Sequence, residues 1–253
     1  MSRHRRSELI LGKKGHKKLR RSVVTIIGLG AVGSATAEIL ARQGLGTLIG
    51  VDPDSRIEQH NLDRQFLYRE KHVGKPKALA AEKTIAEINS EVQFIPYVGE
   101  FEEAIRSSCS NIILSSNVLV SAVDNGLARY SVSKYSLIHD IPHLDGATGG
   151  FNCRAYVMPH PREGPCLTCT FSRKGYEEIS RPFSCTRRNS SQPAPAITET
   201  GFQVAAVLAI ETVKLLLGKP VQCNEIRISM NTWSIFAERI DPSPSHVIRH
   251  IMI

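Results

Sequence analysis

The sequence lacks a long apolar run: no stretch approaches the roughly eighteen apolar residues that a membrane-spanning helix needs. The basic residues near its start are not followed by the apolar segment of a secretory signal. Cysteine is scarce, with six in 253 residues, and two of these are spaced C-x-x-C, which favours metal or thiolate chemistry over a disulfide framework. We therefore expect a cytoplasmic protein without a membrane span, and 42% hydrophobic residues are enough for a packed core.

The body of the chain also lacks an excess of either charge. The net charge of +8 lies in residues 1–22, which hold nine of the 32 Lys and Arg residues and one of the 24 Asp and Glu residues. A nucleic-acid-binding surface would extend over the fold, so we do not expect a nucleic-acid partner. We expect instead a basic N-terminal arm, with a short helix near residues 7–11, that meets a nucleotide phosphate or an acidic patch on a protein. A solvated basic tail is the plainer alternative.

The stretch from Gly28 to Lys77 organises the rest of the chain. A β-branched apolar run over residues 23–27 predicts a buried strand, and residues 31–43 predict a helix. The turn between them has the spacing G-x-G-x-x-G, formed by Gly28, Gly30 and Gly33. Small residues there let the backbone approach a phosphate at a helix N-terminus. The next predicted strand ends in Asp52, where nucleotide-binding folds place a carboxylate for ribose hydroxyls.

Polar and cationic side chains follow this turn within a short distance. They are Asn61, Arg64, Gln65 and Lys77. A dinucleotide has only two phosphates, which a glycine turn can hold by itself, whereas added Arg and Lys suit a triphosphate whose charge grows during reaction. The pattern therefore favours ATP over a redox coenzyme, and an NAD-binding Rossmann module or dehydrogenase is the rival from another class.

The order of predicted elements indicates an α/β fold with a Rossmann-like, mainly parallel nucleotide-binding sheet, an antiparallel C-terminal extension and a crossover loop. We predict one domain over residues 23–253 after the arm of residues 1–22. It divides into a nucleotide-binding half, residues 23–145, and a partner-binding half, residues 146–253, with the crossover loop over residues 171–197. Asp124 follows the predicted strand over residues 117–123, at the crevice where ligands bind in open parallel sheets. A helix N-cap is the plainer role for Asp124.

Five spaced motifs occur in a fixed order. They read N-L-D-R-Q-F at 61–66, G-K-P-K-A at 74–78, S-A-V-D-N at 121–125, C-L-T-C at 166–169 and K-L-L-L-G at 214–218. Together they resemble the ubiquitin-activating enzyme superfamily of adenylyltransferases in its short MoeB/ThiF/HesA form, over about residues 3–240. The resemblance implies ATP-dependent adenylation of the C-terminal glycine carboxylate of a ubiquitin-like or sulfur-carrier β-grasp protein, by a homodimer.

The resemblance also implies roles for individual residues. The nucleotide would be bound by Gly28, Gly30, Gly33, Asp52, Asn61, Arg64, Gln65 and Lys77, and Mg²⁺ by Asp124. Catalysis would use Arg64, Lys77, Asp124 and Cys185, together with Arg6. In relatives the arginine at the position of Arg6 reaches the ATP of the other subunit, and Arg5 takes this role if the register shifts by one residue.

Cys185 lies in the crossover loop beside Arg187 and Arg188, and neighbouring arginines lower the pKa of a thiol. In the superfamily such a cysteine can take the activated carboxyl as a thioester or a persulfide-type link, while a passive cysteine is the alternative. We interpret the chain as favouring thioester capture for conjugation, with a conjugating enzyme as a further partner. The alternative is sulfur transfer for thiamin, molybdopterin or tRNA thiolation. A cousin of the family that dehydrates a modified tRNA base is a remaining rival.

The C-x-x-C pair at Cys166 and Cys169 suggests a zinc site. In relatives the pair at Cys166 and Cys169 holds structural zinc with a second C-x-x-C near the C-terminus, which is missing here. Either zinc is lost, or His246 and His250 replace the thiolates, since C-x-x-C with H-x-x-x-H fits tetrahedral zinc. Both interpretations stay open.

Overall fold

A computed structural model describes residues 3–170 and 196–242. One eight-stranded sheet has the order β3-β2-β1-β4-β5-β6-β7-β8. The strands are β1 (Val23–Ile27), β2 (Thr47–Asp52), β3 (Gln93–Val98), β4 (Val118–Ser121), β5 (His143–Gly149), β6 (Asn152–Met158), β7 (Glu225–Ser229) and β8 (Ser234–Glu238). Strands β3, β2, β1, β4 and β5 run parallel, and β6, β7 and β8 continue the sheet in antiparallel pairs. This confirms the predicted α/β fold with an antiparallel C-terminal extension.

Seven α-helices lie in the described part of the chain. They are α1 (Arg5–Leu19), α2 (Ala31–Arg42), α3 (Lys77–Ile88), α4 (Phe101–Ala104), α5 (Ser110–Leu114), α6 (Gly126–His139) and α7 (Thr198–Leu216). Short 3-10 helices occur at Gln59–Asn61, Glu70–His72 and Leu167–Thr170. Among the described residues, no helix combines the length and the apolar character needed to cross a membrane.

Both faces of the parallel sheet are buried, as its continuous apolar strands require. Alternate side chains of one strand enter two different clusters because successive side chains point to opposite faces. In β1, Val24 and Ile26 join the core that includes α2, α3 and α7, while Ile27 joins the core that includes α4, α5 and α6. The result is a three-layer arrangement in which β1 is the middle one of the five parallel strands.

The basic N-terminal segment forms a longer helix than the short one predicted near residues 7–11. It forms α1, which bends at Gly12, where φ is +71°. Leu19 is buried in the main core and Leu11 packs against it, so the second half of α1 is part of the fold. The first half is anchored at its start, where an Arg3 Nη1 donates to the carbonyl of Ile88 over 3.0 Å.

Candidate functional site

The three glycines of the G-x-G-x-x-G turn differ in what the fold demands of them. Gly28 has φ +87°, and a Cβ there would lie 2.6 Å from the carbonyl oxygen of Ala122. A Cβ on Gly33 would lie 1.8 Å from the Gly28 oxygen, so both positions need glycine for packing alone. Gly30 is the N-cap of α2, yet a Cβ there would meet nothing within 4 Å. Open space therefore lies in front of the start of α2, where a phosphate can meet free backbone N–H groups.

Asp52 connects the end of β2 to this turn. Its Oδ2 accepts a 2.6 Å hydrogen bond from the amide of Leu29, and its Oδ1 accepts one of 2.9 Å from the amide of Asp54. The carboxylate is buried, and this burial raises its pKa above the ordinary value, while the positive charge of Lys77 opposes the rise. Each oxygen keeps a further lone pair, so binding of ribose hydroxyls is compatible with these contacts.

Lys77 is the first residue of α3 and its side chain is only 7% exposed. Its Nζ lies 2.5 Å from Oδ2 of Asp54. This ion pair, which the sequence did not predict, holds the ammonium beside the end of β2 and close to Asp52. The orientation suits contact with a phosphate in the open space before α2, and that contact stays a prediction.

The N-L-D-R-Q-F segment forms a loop that is attached at several points. The Asn61 Oδ1 accepts from the amide of Glu58 over 3.0 Å. An Arg64 Nη1 donates to the carbonyl of His60 over 2.7 Å and to Asp63 Oδ1 over 2.8 Å. Gln65 is buried, and its Oε1 has no hydrogen-bond partner among the described residues. An acceptor left in this state suits a contact from a bound molecule.

Two helices place this loop beside the glycine turn. The amide of Phe66 donates to the Ser34 hydroxyl in α2 over 3.0 Å. The Phe66 ring lies 5.0 Å from that of Phe202 in α7, and the Thr198 hydroxyl at the start of α7 donates to the Asp63 carbonyl. The loop that carries Arg64 and Gln65 therefore lies beside the N-terminal turn of α2, and their contact with a nucleotide stays a prediction.

Asp124 lies three residues beyond β4 and is exposed. The alternative in which it caps α6 is wrong, because the Asn125 Oδ1 accepts the capping hydrogen bond from the amide of Ala128 over 2.7 Å. The Asp124 carboxylate makes no hydrogen bond or ion pair with the residues that the structure describes. Burial raises the pKa of Glu100, and the negative charges of Glu102, Glu103, Asp52 and Asp124 add to the rise. Asp52 ends β2 and Asp124 follows β4, and because these strands run parallel, both carboxylates lie at the carboxyl edge of the sheet.

A buried polar cluster behind Asp124 was missed by sequence reasoning. Arg129 in α6 forms an ion pair with Asp145 in β5. The carboxylate of Asp145 also accepts from the Ser121 hydroxyl over 2.6 Å, and that hydroxyl lies 2.8 Å from Nε2 of His143. Burial lowers the pKa of His143 to about 4. Ser121 stood in the S-A-V-D-N motif, but nothing in the local pattern linked it to residues more than twenty positions away.

Known proteins with similar sequences identify the family of this chain. The model of the ThiF family matches residues 1–246. The chain belongs to the ThiF family. It is 33% identical over 236 residues to the sulfur carrier protein ThiS adenylyltransferase of Bacillus subtilis, which covers 91% of this chain and 65% of that protein. It is 30% identical to the sulfur carrier protein adenylyltransferase of Thermus thermophilus, over 82% of this chain and 74% of that one.

Solved structures of Escherichia coli MccB share the ThiF-type fold. One, with succinimide, aligns with a TM-score of 0.79 and 22% identity over 96% of this chain and 73% of MccB. Another, with ATP, aligns with a TM-score of 0.78. The chain spans 65% of the Bacillus relative and 42% of the adenylyltransferase and sulfurtransferase MOCS3 of Arabidopsis thaliana. The identification as a member of this family is therefore confirmed.

The structure does not bring every candidate residue of this ThiF-family chain together. Just before α1, Arg3 donates to the carbonyl of Ile88, the last residue of α3. The ring of the next residue, His4, lies beside Gly44, which follows the end of α2. These helix ends lie at the amino edge of the parallel strands, opposite the glycine turn. Arg6 is exposed within the first turn of α1. It is therefore not positioned to enter the nucleotide site of its own subunit.

The two cysteines of the C-x-x-C motif lie close together at the 3-10 helix Leu167–Thr170. The Sγ atoms of Cys166 and Cys169 lie 3.8 Å apart. Two thiolates on one tetrahedral zinc, with bonds of about 2.3 Å, are separated by about 3.8 Å, whereas a disulfide needs about 2.05 Å. The distance between the Cys166 and Cys169 Sγ atoms is compatible with two zinc thiolates and excludes a disulfide, and the zinc site stays a prediction. Among the described residues, no group of three or more His, Cys, Asp or Glu side chains could hold a metal ion. His246, His250 and Cys185 lie outside the described residues.

Proposed function

We propose that this protein is an adenylyltransferase that uses Mg·ATP to activate the C-terminal glycine carboxylate of a ubiquitin-like or sulfur-carrier β-grasp protein. The observation that carries the proposal is the open space before Gly30, at the start of α2. Asp52 accepts from the Leu29 amide beside it, Lys77 is paired with Asp54 just after β2, and Asp124 follows Val123, whose side chain lies against Gly28. The relatives named above are adenylyltransferases, which supports the same reaction.

In the proposed reaction, a carboxylate oxygen of the partner attacks the α-phosphorus of ATP. The bond from that phosphorus to the oxygen bridging to the β-phosphorus breaks, which gives an acyl adenylate and pyrophosphate. No covalent enzyme group is needed in this step, so positioning and charge neutralisation account for most of the catalysis.

Individual residues of the site have distinct tasks in this proposal. Backbone N–H groups at the start of α2 hold phosphate, and Asp52 binds the ribose hydroxyls. Arg64 and Lys77 neutralise the polyphosphate, with Asn61 and Gln65 lining the same loop. Asp124 holds Mg²⁺, which when bound neutralises the pyrophosphate leaving group. The exposed Asp124 carboxylate, which has no hydrogen-bond or ion-pair partner within residues 3–170 and 196–242, is the kind of oxygen donor that Mg²⁺ prefers.

The position of Arg6 supports a homodimer. Because the first turn of α1 lies at the edge opposite its own nucleotide site, Arg6 serves the reaction only in a second subunit. We propose that it contacts the phosphates of ATP bound there, as the family resemblance implies.

Two fates of the acyl adenylate are proposed. In one, the Cys185 thiolate attacks the acyl carbon, the bond to AMP breaks, and the thioester is passed to a conjugating enzyme. In the other, a sulfide-level sulfur donor attacks the acyl carbon, the bond to AMP breaks, and AMP leaves a thiocarboxylate on the carrier. The Bacillus and Thermus relatives are named for sulfur-carrier proteins, which is the observation that favours the second fate.

The test is exchange of labelled pyrophosphate into ATP in the presence of a β-grasp protein ending in Gly-Gly. We expect exchange with the intact carrier and none with a matched carrier that lacks its last glycine. Mass spectrometry of both proteins then separates the fates: a thioester on Cys185 supports conjugation, and a thiocarboxylate on the carrier, formed when a sulfur donor is added, supports sulfur transfer. ATP binding without exchange for any such carrier would contradict the proposed substrate class.

A further inference from the structure

The guanidinium of Arg129 joins α6 to the middle of β5 and to the loop that follows β4. Its Nη1 contacts both carboxylate oxygens of Asp145. Its Nη2 donates to the carbonyl oxygens of Val123 and Gly146, the latter over 3.2 Å. The Arg129 side chain is 12% exposed and that of Asp145 is 1% exposed, so the pair is largely removed from water.

The contact with Val123 matters because Val123 immediately precedes Asp124. A hydrogen bond to the Val123 carbonyl holds the peptide plane that leads into Asp124. On the other side, Asn125 is held by its capping bond to Ala128. The backbone of Asp124 is therefore held on both sides, although its own carboxylate makes no hydrogen bond or ion pair in the described part of the chain.

Arg129 is itself held in place by a second row of contacts. The Asp145 carboxylate, which faces it, accepts from Ser121 over 2.6 Å. Ser121 is buried and lies opposite Ile27 in the register of β1 and β4, directly before the glycine turn. The cluster thus connects the segment that carries Asp124 to the strand that carries the glycine turn.

We infer that Arg129, held by Asp145 and Ser121, is a positioning residue that sets the place of the Asp124 carboxylate relative to the glycine turn. This inference rests on the proposed function, in which Asp124 holds the Mg²⁺ of Mg·ATP. Outer partners of this kind orient ligands that would otherwise move freely, and their loss typically reduces metal affinity about 10- to 100-fold.

Arginine is needed here for its geometry and not only for its charge. Its planar fork presents donors to a carboxylate and to two carbonyl groups at once, whereas a lysine ammonium is a compact point charge that cannot reach all of them. Arg129→Lys therefore keeps the ion pair with Asp145 but loses the contact with Val123.

The experiment measures ATP binding to the full chain by calorimetry, once with Mg²⁺ and once with EDTA. In wild type we expect Mg²⁺ to tighten ATP binding. In Arg129→Lys we expect the gain from Mg²⁺ to fall about 10-fold, with the Kd in EDTA unchanged within about twofold. Asp124→Asn should lose the same gain, and adding Arg129→Lys to it should cause no further loss, because both changes act through one carboxylate.

Arg162→Lys is the matched control. Arg162 also donates to helix carbonyls, with its Nε 3.2 Å from the Leu137 oxygen, but at the far end of α6. It should retain the full gain from Mg²⁺. If Arg129→Lys does not fold, Ser121→Ala is measured instead, since it removes one hydrogen bond from Asp145. We expect it to reduce the gain in ATP affinity from Mg²⁺ by less than Arg129→Lys would.

The outcomes separate the two proposals. If wild type gains affinity from Mg²⁺ and the folded Arg129→Lys protein, or Ser121→Ala in its place, keeps that gain in full, the positioning role is overturned and the proposed function stands. If wild type binds no ATP, or if Mg²⁺ does not tighten its binding, the proposed Mg·ATP site is overturned together with the inference drawn from it.

Discussion

At the scale of single residues, Gly30 differs from the other two glycines of the turn, because ligand binding and not packing explains its presence. Gly28 and Gly33 are required by steric contact within the chain, while Gly30 faces open space. A glycine that packing does not require, at the N-terminus of a helix, is explained by the close approach of a ligand.

Replacing Gly30 by Ala tests this difference. Gly30 has an extended backbone, with φ −72° and ψ −151°, and a Cβ there meets nothing within 4 Å, so we expect the free energy of unfolding to fall by no more than about 1 kcal/mol. ATP affinity should fall at least about 10-fold, because the added methyl group occupies the approach of the phosphate. Gly33→Ala should instead prevent stable folding, since its Cβ would overlap the Gly28 oxygen. Thermal unfolding measures the stability of the two variants, and ATP titration measures the affinity of Gly30→Ala. Unchanged ATP affinity in Gly30→Ala would contradict phosphate binding at the glycine turn.

Asp124 and Cys185 have separate tasks, which single substitutions distinguish. Asp124→Ala should abolish pyrophosphate exchange while altering the free energy of unfolding by less than about 0.5 kcal/mol, because the side chain is exposed and makes no hydrogen bond within the described residues. Cys185→Ala should keep exchange and lose the thioester. Loss of exchange in a correctly folded Cys185→Ala protein would show that this division of tasks is wrong.

At the scale of elements, β5 contains a titratable group in the core. His143 is fully buried, and burial lowers its pKa to about 4 from the ordinary 6.5. Protonation therefore favours the unfolded chain. The stabilising effect of the neutral imidazole is complete above pH 6.5 and is lost as the pH falls towards 4.

We expect the free energy of unfolding to fall by about 2 kcal/mol between pH 7 and pH 5 through His143 alone. Urea unfolding at the two pH values measures this difference. His143→Gln should reduce the difference, whereas His139→Gln, which changes an exposed residue of α6, should leave it as in wild type. An equal pH dependence in wild type and His143→Gln would contradict the assignment.

The knuckle at Cys166–Cys169 is a second element whose chemistry can be measured. If His246 and His250 complete a tetrahedral site, the purified reduced protein contains about one zinc per chain. Replacing both histidines by Gln should then release the zinc and lower the temperature of unfolding, since structural zinc contributes to stability. Absence of zinc from protein with reduced Cys166 and Cys169 would reject this interpretation and leave the dithiol without a metal.

At the scale of the whole molecule, the two edges of the sheet are occupied by different parts of the chain. The glycine turn, Asp52 and Asp124 lie at the carboxyl edge, and the first turn of α1 lies at the amino edge. A reaction that needs Arg6 therefore needs two subunits.

Mixing two inactive variants tests this arrangement. Arg6→Ala subunits and Asp124→Ala subunits, exchanged under mild denaturation and refolded, should recover up to about a quarter of wild-type exchange activity. Half of the dimers are mixed, and in each of these one site has both an intact Asp124 and an Arg6 from the partner. No recovery, despite mixed dimers detected by mass spectrometry, would show that Arg6 does not act across the subunit boundary.

The sequence by itself determined the order of elements, the glycine turn and the family. These features depend on local periodicity, on backbone freedom at Gly28 and on motif spacing, all of which can be read from neighbouring residues. The ends of elements differ from the prediction by a few residues: β4 ends at Ser121, two residues before the predicted limit.

Only the tertiary structure decided which polar groups meet. Residues far apart in the chain form the ion pair of Lys77 with Asp54 and the cluster around Arg129. The placement of Arg6 at the sheet edge opposite its own nucleotide site is likewise set by the fold. Their contacts depend on how strands and helices are brought together by burial of the two cores. No local pattern of residue types contains that information, because the partner of a charged side chain is chosen by the fold around it.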